Sequence, residues 1–281
     1  MVDVRKMLEA DAEDVSSFLA EHMHRNLSSE YFRKLFVRPW VGQNGEYGFV
    51  LIAQNKIVGC LGTIYSSRTI AGRREDFLNL TAWCVMPKYR RFSLSLLDKL
   101  PDEEKHTITD VSPTRGVEQI LRCMHYQVLD TVKLFLGPLT HFHTLFSFPK
   151  PRVISDTDVM AGFLSSADRK ILKDHIGIGC QHLLLSTPSG YCYIVSKRVD
   201  RHAVRFTEVL YVSDPKMLLR HLELAKLHIL YRDRSPFLAA DERLIGRRLR
   251  LALAYRRTSM FRSKSLTRDQ IDNLYTEKAI F

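Results

Sequence analysis

Apolar positions along the chain switch repeatedly between a period of two and a period of three to four. Val2–Met7 alternates as a strand, and Asp11–Met23 puts Val15, Phe18, Leu19 and Met23 on one helical face. Ser28, Ser29 and Glu30 form a helix start leading into Tyr31–Phe36, and Trp40–Tyr47, with Gly42, Asn44 and Gly45, reads as an exposed loop. Gly48–Ala53 and Lys56–Ser66 are strands joined at Gln54–Asn55, a dipeptide suited to a tight hairpin turn. Ala71–Gly72 marks another turn before the apolar strand Phe77–Val85. His106–Val111 reads as a strand, Ser112–Pro113 as a turn, Thr114–Met124 as a helix, and His125–Asp130 and Val132–Leu136 as further strands.

The strand ending at Val85 meets Pro87 and the basic turn Lys88–Tyr89–Arg90–Arg91, and Ser93 opens a helical pattern through Leu94, Leu96, Leu97 and Leu100. A helix start offers unpaired N–H groups and the positive end of its dipole, and the arginines add charge, so this connection suits a phosphate group. An ordinary strand-to-helix connection with solvated arginines carries the same local pattern.

Phe142–Arg152, with Pro149 and Pro151, reads as a linker, which divides the chain into domains 1–141 and 153–281. Beyond it the pattern predicts a helix over Ser166–His175, hairpin strands at His182–Ser186 and Tyr191–Lys197, and a strand over Arg205–Val212. A helix follows from Asp214–Pro215 through Leu227, with a short strand His228–Tyr231 before Ser235–Pro236. TAWCVMP, a helix and HTITDVSP thus have a counterpart in TEVLYVSDP, a helix and LHILYRDRSP, an internal repeat in pattern more than in identity. The second copy has Lys216–Met217–Leu218 where the first has its arginines. Hairpins followed by a crossover imply an α/β (α+β) fold with a mixed, mostly antiparallel sheet and flanking helices.

Composition narrows the setting. With 45% hydrophobic and 26% charged residues in 281, the chain reads as globular. No apolar run approaches the roughly 20 residues of a transmembrane span, and the first residues carry no apolar leader core. Cys60, Cys84, Cys123, Cys180 and Cys192 lack CxxC spacing and fall mostly in apolar runs, the usage of reduced, buried thiols in a cytoplasmic protein. A net charge of +11 favours anionic partners, from phosphorylated cofactors and acidic carrier proteins to nucleic acid and anionic lipid.

Val85-x-Pro87-x-x-Arg90-x-x-Ser93-x-Ser95, in this element order, resembles the acyl-CoA-binding segment of the GNAT superfamily of acyltransferases, usually Arg/Gln-x-x-Gly-x-Gly/Ala. As architecture the resemblance covers Val2 to Leu136, and the second half resembles a degenerate copy. It implies an N-acyltransferase that moves an acetyl or other acyl group from acyl-CoA, without metal, to a small-molecule amine by direct attack. By the same resemblance Trp83 and Val85 flank the donor, Arg90, Arg91, Phe92, Ser93, Leu94 and Ser95 hold its pyrophosphate, and Ser112 and Thr114 line the other wall. Both glycine positions of the motif are serine here; serine keeps the N–H groups, but its Cβ narrows the space. An acyl carrier protein is the competing donor, and a non-catalytic domain of the same fold is the third reading.

The resemblance also directs attention to Tyr126, which could protonate a leaving thiolate or simply pack at a helix end. Asn79 stands where some members carry a glutamate base, and it cannot take a proton at ordinary pH. Glu75, Asp76 and Glu46 are the nearest alternative carboxylates in sequence. Direct transfer does not require Cys84, whose apolar strand favours burial. His22-x-His24 and His141-x-His143 lack partners at metal-ligand spacing. The basic residues between Arg247 and Lys264 accompany no recognised nucleic-acid fold and, with Leu249, Leu251 and Leu253 alternating, read as the outer face of a sheet.

Overall fold

The computed structural model describes residues 2–23, 26–37, 40, 46–101, 105–201, 204–247 and 249–281. His24, Arg248 and the middle of the Trp40–Tyr47 segment lie outside these. The ends of that segment are not exposed as expected, since Trp40 and Tyr47 are both buried. The chain divides into two compact units, Met1–Gln127 with Met260–Thr267 and Tyr275–Phe281, and Val128–Ser259 with Arg268–Leu274.

The first unit runs β1 (Val2–Lys6), α1 (Ala12–His22), α2 (Ser29–Arg33), β2 (Gly48–Ala53), β3 (Lys56–Ile70), β4 (Arg73–Val85), α3 (Leu94–Leu97), β5 (Thr107–Asp110) and α4 (Arg115–Cys123). Its strands lie in the order β1-β2-β3-β4-β5, antiparallel except for the parallel pair β4/β5, and Met260–Arg262 adds an antiparallel edge to β5. Gln54 and Asn55 have φ of 51° and 59°, the left-handed pair that a two-residue hairpin turn requires. Gly48 is indispensable at the start of β2: at its φ of +119° a Cβ would lie 2.0 Å from the Leu61 carbonyl oxygen. Ser28 caps α2 by accepting the Tyr31 N–H, and Thr114 caps α4 by accepting that of Val117. Val15, Phe18 and Leu19 of α1 pack with Phe32, Leu35, Val50, Cys60 and Ala82 into one core.

The second unit runs β6 (Gln127–Leu136, from Val128 on), β7 (Arg152–Ile154), α5 (Thr157–Ala161), α6 (Ser166–His175), β8 (Cys180–Thr187), β9 (Gly190–Arg201), β10 (Val204–Val212), α7 (Pro215–Arg220), α8 (Leu222–Asp233), β11 (Leu238–Asp241), α9 (Glu242–Ile245) and β12 (Leu253–Arg262, as far as Ser259). Its strands lie in the order β6-β11-β10-β9-β8-β7, with β10/β11 the parallel pair. Leu134, Leu183, Ile194, Val209, Leu218 and Ile229 are central in its core.

Three elements differ from the sequence pattern. His125–Asp130 and Val132–Leu136 form one strand, because buried Asp130 and Lys133 are paired to Arg243 and Glu208 and need no turn between them. His228–Tyr231 is helical: Leu222, Ala225, Ile229 and Leu230 sit on the buried side of α8, and the strand comes after Ser235–Pro236. LHILYRDRSP therefore does not match HTITDVSP element for element. The segment read as a linker contains a 3-10 turn, Phe142–Phe146, and leads into β7.

Candidate functional site

The parallel pairing of β4 with β5 covers only Phe77↔Thr107, Leu78↔Ile108 and Asn79↔Thr109. Beyond Asn79 the two strands part, β4 continuing to Val85 while β5 ends at Asp110. On its other edge β4 carries a bulge: Gly62 pairs with Thr81 and Cys60 with Cys84, which leaves Ala82 and Trp83 without register partners on β3. Ala82 is in the left-handed region, with φ of 49°, where a non-glycine residue is strained. Strand splitting and bulge together break the ladder on both edges of β4 at one place, the arrangement that frees backbone N–H groups for a ligand.

The connection after β4 is more helical than its sequence predicts. Pro87–Phe92 forms 3-10 turns, and Ser93, at φ −63° and ψ −32°, continues them rather than capping α3. The Ser95 hydroxyl donates to the Phe92 carbonyl at 2.6 Å. Since α3 is a single turn, its dipole is small, and the positive charge of this connection comes mainly from the side chains, with Arg90 and Arg91 exposed. The Arg91 guanidinium lies 4.7 Å from the Phe92 ring centroid. A cavity of about 500 Å³ opens between α3 and α4, lined by Leu94, Leu97, Asp98, Gln119, Ile120, Cys123 and Met124.

The thiols beside the bulge stay protonated. Burial pushes Cys84 up, with Arg90 pulling the other way, and burial pushes Cys60 well up, reinforced by Cys84. Neither is an activated nucleophile. Cys123, expected to be buried, is exposed at the end of α4, where it lines the cavity.

Asn79 is fully buried, and its amide is committed: Nδ2 donates to the Thr109 carbonyl and hydroxyl oxygens, both at 3.1 Å. Its Oδ1 accepts the backbone N–H of Glu277 at 2.9 Å. Glu277 belongs to α10 (Glu277–Ile280), in a C-terminal segment held in the first unit by stacking of Phe281 on Tyr31 at 5.0 Å and by an edge contact of Tyr275 with Trp40. The Glu277 carboxylate accepts from the Thr81 hydroxyl at 2.5 Å and from the Ser112 hydroxyl. Two residues singled out from sequence, Asn79 and Ser112, are thus brought together by one that was not, 198 positions from Asn79. Nothing local to Glu277 signals this, because its partners come from other strands.

The other candidates have the following surroundings. Glu75 accepts from Ser265, Asp76 from Ser67 and Arg74, and Glu46 pairs with Lys6. Tyr126 is buried at the start of β6 with the Arg262 guanidinium 4.7 Å from its ring centroid, a packed position. Trp83, Val85, Phe92 and Ser93 are half-buried along β4 and the turn, and Thr114 is spent on capping α4. His141 bonds Thr140 through Nδ1, and among the described residues no three histidine, cysteine or carboxylate side chains gather as a metal site. Among those residues, no helix is long and apolar enough to cross a membrane.

Comparison of the sequence finds no matching family model and no matching curated protein. Comparison of the fold does find similar structures. A GCN5-related N-acetyltransferase of Anabaena variabilis shares 11% identity over 93% of this chain and 72% of its own, with a TM-score of 0.55. One of Kribbella flavida shares 15% over 94% of this chain and 71% of its own, at 0.54. A protein of Pyrococcus horikoshii shares 9% over 98% of this chain and 92% of its own, at 0.57. The chain has the GNAT fold.

Proposed function

We propose that the protein is a cytoplasmic N-acyltransferase that takes an acetyl or other acyl group from an acyl-CoA thioester and passes it directly to an amine. The observation that carries this reading is the coincidence, on β4, of the split from β5 with the bulge at Ala82, in a strand that leads directly into a basic turn. Acyl transfer from a thioester needs those parts together: a slot for an extended arm, charge for a pyrophosphate, and backbone N–H groups at the carbonyl. Trp83 and Val85 flank the arm, and Arg90 and Arg91, with the backbone of Phe92, Ser93, Leu94 and Ser95, hold the phosphates. Ser112 and Thr114 lie on the far wall. Asn79 positions the neighbouring groups, and Tyr126 packs beneath Arg262, whose guanidinium donates to the Met124 carbonyl at the end of α4. The buried thiols Cys60, Cys180 and Cys192 agree with a reducing compartment.

The second unit, in this reading, is a copy that has lost its donor site. Both units contain a strand, two helices and three antiparallel strands, then a strand parallel to the third and a helix; one helix, α3, precedes that parallel strand in the first unit and two, α7 and α8, precede it in the second. Each third strand carries a register shift, at Ala82–Trp83 in one and near Leu210 in the other. Lys216–Met217–Leu218 stands in place of the arginine turn.

Isothermal titration with acetyl-CoA tests both statements. One molecule should bind per chain, and Arg90→Ala should weaken binding roughly tenfold through loss of a phosphate contact. Absence of binding, or equal binding by the variant, overturns the donor site; two molecules per chain overturn the assignment of the second unit.

A further inference from the structure

Building on the acyltransferase reading, we infer that Glu277 is the proton acceptor for the incoming amine, which arrives as its cation. The carboxylate bridges the hydroxyl of Thr81 on β4 and that of Ser112 just past β5, across the gap that opens once the two strands stop pairing. Thr81 immediately precedes the bulge residue Ala82, so the carboxylate sits within one residue of the point where a thioester carbonyl would be held. Its backbone is fixed as well: the Glu277 N–H donates to Asn79, and Asn79 is locked to Thr109 on β5. Two hydroxyls and a buried amide thus hold one half-buried carboxylate at the mouth of the split. Glu75, Asp76 and Glu46 are engaged with Ser265, with Ser67 and Arg74, and with Lys6.

The chemistry requires such a group. A primary ammonium has no lone pair and cannot attack until it gives up a proton. Glu277 attracts the cation and takes that proton; the freed nitrogen lone pair forms the C–N bond at the thioester carbonyl, and the C–S bond breaks. The thiolate leaves with the second N–H proton as the thiol, giving a neutral amide, and Glu277 returns its proton to solvent. A carboxylate that only tethered the C-terminal segment would have no effect specific to protonated nucleophiles.

That difference is the test. The full chain is assayed with acetyl-CoA by release of free thiol, using ethylamine, which is protonated at neutral pH, and hydroxylamine, which is not. Glu277→Gln keeps the size and hydrogen-bonding reach of the side chain but cannot take a proton. It should lower kcat with ethylamine by about 10²–10⁴-fold, leave the rate with hydroxylamine at the wild-type level, and leave acetyl-CoA binding by calorimetry unchanged. Glu277→Asp, which retains the carboxylate, should recover part of the ethylamine rate. An equal loss with both nucleophiles, or no loss with either, overturns the assignment while the acyltransferase reading stands. A wild type that binds acetyl-CoA yet acylates hydroxylamine and not ethylamine also overturns it. A wild type that neither binds acetyl-CoA nor acylates either amine overturns the underlying reading itself.

Discussion

Asn79 illustrates how a residue can be found by sequence for one reason and matter for another. Its place on the central strand drew attention because a base is expected there, but its buried amide donates twice to Thr109 and accepts once from Glu277. Asn79→Ala should therefore cost about 2 kcal/mol by stranding those partners. Asn79→Asp should cost more, about 3 kcal/mol, because it removes the Nδ2 donor and sets a carboxylate against the Thr109 oxygens. Urea denaturation measures both, and a change for Asn79→Ala within error of zero would show that the three bonds do not matter. Arginines in a turn are legible because charge and position coincide in sequence; so were Arg90 and Arg91. Glu277 was not legible, because its role depends on strands and a tail that meet only after folding.

At the scale of elements, alternation and turn chemistry located most strands, and Gln54–Asn55 and Ala71–Gly72 marked the two hairpin turns of the first unit directly. The bulge on β4 escaped that reading. A period-two pattern says which face a residue occupies but nothing about an extra residue, and an alanine at φ of 49° has no compositional mark. The strand after α8 escaped it for a related reason: LHILYRD is apolar enough for either structure, and only burial of its 3.6-residue face decides for helix. The bulge itself can be tested. Ala82→Gly should stabilise the protein or leave it unchanged, since glycine accepts the left-handed conformation at no steric cost. Ala82→Val should destabilise it by about 2 kcal/mol, because a β-branched residue is excluded from that region. Thermal melts compare the two; Val tolerated as well as Gly would mean that the kink is not fixed at Ala82.

At the scale of the whole molecule, the charge of +11 was read from composition as a preference for anions, and it is the buried histidines that composition could not reveal. Within the second unit, burial lowers His182 to about 4, helped by the nearby charges of His175 and Arg232. Burial also lowers His175, His141 and His221. His182 hydrogen-bonds the Tyr193 hydroxyl at 2.8 Å, and His175 is held between the carbonyls of Ile171 and Leu274. Above the ordinary value of 6.5 the imidazole is neutral in both the folded and unfolded chain, so stability there does not depend on it. As pH falls below 6.5, the unfolded chain takes up a proton that the folded unit refuses until about 4, and stability is lost over that window. For His182 the full loss is about 3 kcal/mol, and the other three act in the same direction. Melting temperatures across pH 7.5, 5.5 and 4.5 should therefore fall most steeply in the lower half of that range. His182→Gln, which can still hydrogen-bond Tyr193 but does not titrate, should melt lower at neutral pH yet lose less on acidification. Parallel curves for the two proteins would remove His182 as the source of the acid sensitivity.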